Sequence, residues 1–510
     1  MNGLVAAPVV LPLLSAAVLL ALRGNRAAQR LVATTAAALS LLVALWLLVQ
    51  VSERGILALH FGGWPAPFGI TFVADHLSAI MVVITAVMAL AAAVYALRDI
   101  DPDREARGYH ALAQVLLVGI NGAFLTGDVF NLYVWIEVLL IASFVLLTLG
   151  GTRAQLEGGI KYVSVNLLSS LLLLAAIGLL YGLTGTLNMA DLARTLPEKD
   201  PGLVTTIAVL FMVAFGIKAA VFPLFFWLPA SYHTPPIAIS AFFAGMLTKV
   251  GVYALMRSFT LLFVADVGFT HTILLWVGAF TMVSGVLTAA AQSDVRKILS
   301  FHIISQIGYM IMGLALYTPL ALAGAVFYLI HNIIAKANLF LIAGIARRLT
   351  GSFDLNRSGG LFKAAPFLAA LFLVSALGLA GIPPLSGFWA KLLVVLAALE
   401  AGNWVMATVA LGVGLLTLFS MTKIWHYAYW SPLPEGGRLS ARPSSLLYAP
   451  VVALAALTLL LGLWSGPLIA LGDAAAAELL DPSRYVGAVL GSEAGQAFAA
   501  EAALAGGGER

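Results

Sequence analysis

The chain has 510 residues, 62% hydrophobic and 10% charged, with a formal net charge of +4 and a mean hydropathy of +1.02. A soluble chain carries roughly a quarter charged residues, so the composition excludes a soluble enzyme or a nucleic-acid-binding domain and points to an integral membrane protein. With zero cysteines, disulfides, iron–sulfur clusters and thiolate metal sites are excluded, and without histidines paired at haem or zinc spacing no metal or organic cofactor is expected.

A membrane-crossing helix needs about 20 apolar residues, with a range of roughly 17 to 25. Along the chain that ruler gives spans 3–22, 29–51, 74–97, 109–126, 128–149, 160–183, 203–226, 235–259, 271–292, 299–317, 319–346, 365–400, 404–428 and 446–471. The expected fold is an all-α polytopic membrane protein of fourteen helices, with no polar interval long enough to fold alone. The N-terminal stretch lacks a basic leader and carries its arginines after the apolar run, so it reads as a retained first helix. Spans 319–346 and 365–400 exceed the ruler, so each is expected to be tilted, kinked or broken. The tail GDAAAAELLDPSRYVGAVLGSEAGQAF is expected to form a short surface helix, with disordered last residues.

Basic residues set the orientation. Numbering the loops alternately, one side holds seventeen: Arg23, Arg26, Arg30, Arg98, Arg104, Arg107, Arg153, Lys161, Arg296, Lys297, Arg347, Arg348, Arg357, Lys363, Lys423, Arg438 and Arg442. The other holds Arg54, Arg194, Lys199 and Arg257 before the tail. The first side is expected in the cytoplasm, with the N-terminus outside a cell membrane.

Those residues, with Arg484 and Arg510 of the tail, account for 23 of the 27 basic residues. The remaining four, Lys218, Lys249, Lys336 and Lys391, fall inside apolar spans. Snorkelling to the headgroups fits Lys218 and Lys249 poorly, because each lies some 14 or 15 residues into its span, roughly 20 Å deep at 1.5 Å per residue. A lysine at the bilayer centre costs about 2.5 to 3.5 kcal/mol on insertion scales and in general faces a cavity. Glu137 is the one carboxylate well inside a span, since Asp75, Asp128 and Glu400 lie near ends. It reads either as a hydrogen-bonded tie between helices or as an ion partner for a lysine.

Two apolar spans are interrupted alike. Residues 216–230, GIKAAVFPLFFWLPA, carry Pro223 and Pro229, while residues 381–396, GIPPLSGFWAKLLVVL, carry Gly381, Pro383, Pro384 and Gly387. Proline removes a helix hydrogen bond and clashes with the preceding turn, and the carbonyls it frees need water or polar partners, which a membrane interior supplies around cavities. The alternative is that these prolines only kink helices for packing. Paired interruptions point to a transport site. They fall in the seventh and twelfth helices, and an odd separation of five reverses direction, so helices 4–8 and 9–13 are expected to form an inverted repeat. The expected divisions are 1–108 for the first three helices, 109–259 and 260–430 for the repeats, 431–471 for a loop and helix fourteen, and 472–510 for an extramembrane tail.

Around the lysines stand His302, in SFHIISQIGYM, and His331, in HNIIAKANLF. For any single histidine a satisfied structural role competes with relay duty. His331 and Lys336 are five residues apart, about 140° around a straight helix, and point differently unless a bulge intervenes. Lysine offers donors and no acceptor, so this interior suits a sodium site poorly. Lysine and histidine can instead hand on a proton, because burial and neighbouring charges tune their proton affinity.

The segments FNLYVWIEVLLIASFVLLTLGGT, KAAVFPLFFWLPASYHTPP, QSDVRKILSFHIISQIGYM, HNIIAKANLFLIAG and GIPPLSGFWAKLL resemble the antiporter-like subunits shared by respiratory complex I and the multisubunit Mrp sodium/proton antiporters. Within the family the wording is most similar to the D-type Mrp subunits. The resemblance spans nearly all of helices three to thirteen. It implies a proton-translocating secondary transporter subunit rather than an enzyme, exchanging Na+ for H+ in lipid beside other membrane subunits. The runner-up is a proton-pumping subunit of NADH-quinone oxidoreductase or a related membrane hydrogenase. By position it implies that Glu137 pairs with Lys218, that Lys249 follows on helix eight, that His331 and Lys336 are the polar helix-eleven positions, and that Lys391 ends the line. Glutamate stands at that last position in some complex I relatives.

Overall fold

The structure, a computed structural model, describes residues 3–433, 439 and 443–506. Arg438, Arg442 and Arg510 of the orientation argument, and the last residues of the tail, lie outside the described residues.

Helices stand at all fourteen expected spans. They are α1 Gly3–Ala21, α2 Arg26–Arg54, α3 His76–Asp99, α4 Tyr109–Leu125, α5 Val129–Thr148, α6 Arg153–Thr184, α7a Pro201–Ala219, α8 Ile237–Leu261, α9 Val267–Ala291, α10 Val295–Leu316, α11 Pro319–Thr350, α12a Pro366–Ala380 with α12b Ser386–Glu400, α13 Trp404–Ile424 and α14 Ser445–Leu463. Among the described residues twelve of these helices are long and apolar enough to cross a membrane unaided, and α4 and α12a are shorter apolar helices. Polar caps set several of the starts. Asp75 and Ser78 form a capping box at α3, Thr152 and Gln155 form another at α6, and Asp128 and Asp294 cap α5 and α10 by accepting bonds from first-turn N–H groups. The Thr152 box starts α6 seven residues earlier than apolarity alone places it.

Of the two over-long spans 365–400 is broken, while 319–346 lies in one continuous helix of 32 residues, α11, a length that a tilted crossing accommodates. Several expectations need correction. Between α2 and α3 the chain makes an antiparallel pair, β1 Leu57–His60 with β2 Thr71–Ala74, which the apolar ruler cannot register. Arg257 is no loop residue. It lies within α8, buried, and its Nη2 donates to Asp75 Oδ2 at 2.5 Å beneath the Tyr485 ring. The tail forms three helices rather than one at the surface: α15 Gly466–Leu480, α16 Pro482–Leu490 and α17 Ser492–Gly506. Gly472 brings α15 against the Ala323 backbone of α11, and Glu478 accepts from the backbone N–H of His76 and bonds its ring.

The inverted repeat is written into the backbone contacts. Val129 N–H donates to Leu187 and Met189 N–H to Gly127, while Val295 N–H donates to Phe353 and Leu355 N–H to Ser293. The second set lies 166 positions after the first. Gly119 and Gly285 obey the same offset. A Cβ on Gly119 would stand 2.6 Å from Leu139 N and one on Gly285 2.5 Å from Ser305 N, so both glycines permit the same close crossing, of α4 on α5 and of α9 on α10. Helices α8, α10 and α11 form the centre, their apolar 18-residue stretches 100%, 94% and 94% buried, whereas those of α5, α6, α13 and α14 are 39% buried.

Candidate proton path at the helix breaks

In the first repeat α7a stops at Ala219, and Ala220 takes a left-handed conformation, φ 60° and ψ 48°, uncommon for a residue with a Cβ. The turn satisfies its own carbonyls. Ala220 N–H donates to Ile217 at 3.1 Å and Val221 N–H to Gly216 at 3.0 Å, and Trp227 Nε1 adds a second bond to Ile217 at 2.9 Å. Phe222 N–H donates to Thr281 Oγ1 of α9, and a short helix, α7b Trp227–Ser231, follows. Pro223 lies in the connecting turn and Pro229 within α7b.

With those carbonyls occupied, Lys218 reaches α6. Its Nζ donates to Ser170 Oγ at 2.8 Å and to the Asn166 carbonyl at 3.1 Å. Beside it is a cavity of about 10 Å³ lined by Tyr162, Asn166, Lys218 and Trp227, about the room one water needs. Glu137 is half-buried with Oε1 unpartnered among the described residues. It stands within electrostatic range of Lys218, but no ion pair between them is formed in this structure. Lys249 is fully buried and donates to Ala244 O of its own helix at 3.0 Å. A Cβ at Gly251 would stand 2.7 Å from Lys218 C, so this glycine lets α8 lie against the break.

In the second repeat Gly381 (φ 91°) ends α12a, and its N–H donates to Leu377 and Gly378. Pro383 and Pro384 occupy the turn, and α12b starts at Ser386. Lys391 reaches back and donates to Ala380 O at 2.7 Å, with its ammonium 5.4 Å over the Tyr309 ring. His331 Nδ1 bonds Ser386 Oγ at 2.8 Å, and a Cβ on Gly387 would fall 2.7 Å from His331 Nε2, so Gly387 admits the imidazole to the break. Lys336 points away to α10, its Nζ 3.5 Å from Leu299 O. The two α11 side chains therefore diverge as a straight helix requires, without a bulge. Lys336 is within electrostatic range of Lys249 and Lys391. His302 and His331 are each within range of Lys336 and Lys391.

The structure thus gathers Lys249, Lys336, Lys391, His302 and His331 around the buried central helices, with Lys218 and Glu137 at the first break. It adds residues that apolar patterning misses. Tyr328 donates to Gln306 Oε1 at 2.5 Å and stacks on Tyr309, centroids 4.9 Å apart. Both ring nitrogens of His302, Nε2 of His331 and both amide atoms of Asn332 have no partner among the described residues. Buried polar atoms are nearly always satisfied, so these positions call for water. The missed signal was the 166-residue offset, which superposes Tyr162 on Tyr328, Asn166 on Asn332 and Ser170 on Lys336.

The fold and these breaks define a polytopic membrane protein built from two inverted repeats, with basic side chains held in its interior. The family described as NADH:quinone oxidoreductase/Mrp antiporter, transmembrane, matches residues 126–417. The D-type subunit of the Na(+)/H(+) antiporter of Alkalihalophilus pseudofirmus is 47% identical over 96% of this chain and 100% of its own. A chain of the Mrp complex from Dietzia sp. superposes with a TM-score of 0.90 at 34% identity, covering 96% of this chain and 99% of that one. A chain of an archaeal membrane-bound sulfane sulfur reductase, a respiratory complex, superposes at 0.89 with 27% identity over 95% and 99%. The chain belongs to the NADH:quinone oxidoreductase/Mrp antiporter family.

Proposed function

We propose that this chain is the proton-translocating, D-type subunit of a multisubunit antiporter that exchanges Na+ for H+. It works as a secondary transporter subunit beside other membrane subunits in the cell membrane, with its basic face in the cytoplasm and its N-terminus outside. The observation that carries the reading is the set of three buried lysines, Lys218, Lys249 and Lys336, and the part-buried Lys391, each bonded to neutral oxygens, across both repeats. Glu137 and Lys218 form the first switch. When Lys218 leaves Ser170 for Glu137 the carboxylate gains a counter-ion, and when it swings toward Lys249 the carboxylate loses it and takes up a proton. Lys249, Lys336 and Lys391 pass the charge on, with His302 and His331 bridging through water.

Identity supports the antiport reading over its rival, at 47% to an antiporter subunit against 27% to a chain of a redox complex. The rival has its own support in that close superposition. Purification of the native complex separates the two. Small membrane subunits and sodium-dependent proton movement in everted vesicles are expected; co-purifying flavin or iron–sulfur subunits assign the chain to a redox-driven complex.

A further inference from the structure

A second polar feature lies on the basic face, away from the path. A cleft of about 550 Å³ opens there among the connections of α3, α6, α8, α10 and α11, and its lining carries Arg104, Arg296, Arg347 and Arg348 against one carboxylate, Asp99. That carboxylate is already engaged, accepting from Ala238 N–H at the start of α8 and pairing with Arg348 at 3.2 Å. The Phe353 ring holds two of the guanidiniums, Arg296 at 3.9 Å and Arg347 at 5.2 Å from its centroid. The Nε atoms of Arg104 and Arg296 are buried without a partner among the described residues, although Arg104 also pairs with Asp101 and Arg296 with Asp294. Positive-inside topology accounts for arginines on this face. It does not account for four converging on one cleft, two of them against the Phe353 ring and two with a spare Nε donor.

We propose that this cleft is a binding site for a soluble phosphate-type anion, held by Arg104, Arg296, Arg347 and Arg348. Guanidinium forks match phosphate oxygens two bonds at a time, and the cleft offers several forks to one ligand. The source is aqueous rather than a lipid headgroup, because the cleft is walled by five elements of the bundle, with Gln155 and Ile237 of its lining buried. On the orientation proposed above the ligand comes from the cytoplasm. The site itself does not depend on the transport reading.

The test uses the full chain in phosphatidylcholine nanodiscs, titrated calorimetrically with inorganic pyrophosphate at constant ionic strength. Saturable one-site binding is expected, and Arg296→Gln and Arg347→Gln should each weaken it about tenfold, the worth of one charge-assisted bond. Phe353→Leu keeps all four charges and should weaken it less. Arg347 is exposed and, among the described residues, contacts the Phe353 ring, so its variant keeps the test valid if Arg296→Gln does not fold. No saturable binding, or binding untouched by Arg347→Gln, overturns the site. Loss of pyrophosphate binding when phosphatidylglycerol replaces phosphatidylcholine assigns the cleft to a lipid headgroup and overturns the aqueous source.

Discussion

The two helix breaks solve one problem in opposite ways. At the α7 break the turn amides and Trp227 satisfy the freed carbonyls, and Lys218, two residues before Ala220, is spent on the neighbouring helix α6. At the α12 break the turn leaves Ala380 O open, and Lys391, ten residues after Gly381, fills it. One lysine is shared between a side-chain hydroxyl that can rotate away and the Asn166 carbonyl of the neighbouring helix, while the other caps the carbonyl that its own break leaves open. Topology alone therefore does not give the two repeats the same contacts; where the lysine lies relative to the break decides whether its ammonium is held partly by a movable hydroxyl, the mobile site, or by a backbone carbonyl, the fixed site.

The largest effect expected from this difference is at the mobile site. Glu137→Gln and Lys218→Ala should each abolish sodium-dependent proton movement in everted vesicles with the complex still assembled, and the double variant should be no worse than either single. Additive partial losses would mean that the two act independently. At the fixed site, Lys391→Ala should cut proton flux and also lower the thermal midpoint of the complex, because an orphaned buried carbonyl costs about 1–3 kcal/mol. Normal flux with a lowered midpoint would leave Lys391 a cap and nothing more. A smaller effect is expected from Ser170→Ala, which removes the 2.8 Å bond to Lys218 at about 0.5–1.5 kcal/mol; by freeing the ammonium it should change the pH dependence of exchange more than assembly.

The smallest effect on transport comes from a three-residue cluster remote from both breaks. Glu105, in the α3–α4 connection, is buried and bonded by Arg30 at 2.8 and 3.0 Å and by His110 at 3.2 Å. Burial alone raises a carboxyl pKa, but these bonds outweigh it and hold Glu105 below its ordinary value of 4.5. A depressed folded-state value contributes stability that is present above the unfolded value and lost as pH falls through the folded one. Glu105→Gln should therefore lower the thermal midpoint at pH 7, lose that difference below about pH 4, and leave flux unchanged. A midpoint difference independent of pH would show that the carboxylate's charge contributes nothing there.

Much of this was legible in the sequence because a bilayer is a demanding solvent. Backbone groups must bond internally, so apolar length located the crossings, proline and glycine located the breaks, and the expense of buried charge singled out Lys218, Lys249, Lys336 and Lys391. The five-residue step from His331 to Lys336 likewise fixed their divergence once α11 proved continuous. Hydropathy was silent wherever partners come from distant chain segments. Asp75 and Arg257 lie 182 residues apart and His76 and Glu478 402 apart, so both could be read only as end or tail residues. Composition identified the lysines, but their present hydrogen-bond partners depend on which oxygen the packed helices bring within about 3 Å. Only tertiary structure decided that Lys218 bonds Ser170 instead of Glu137, that Lys391 closes its own break, and that four arginines from separate connections share one cleft.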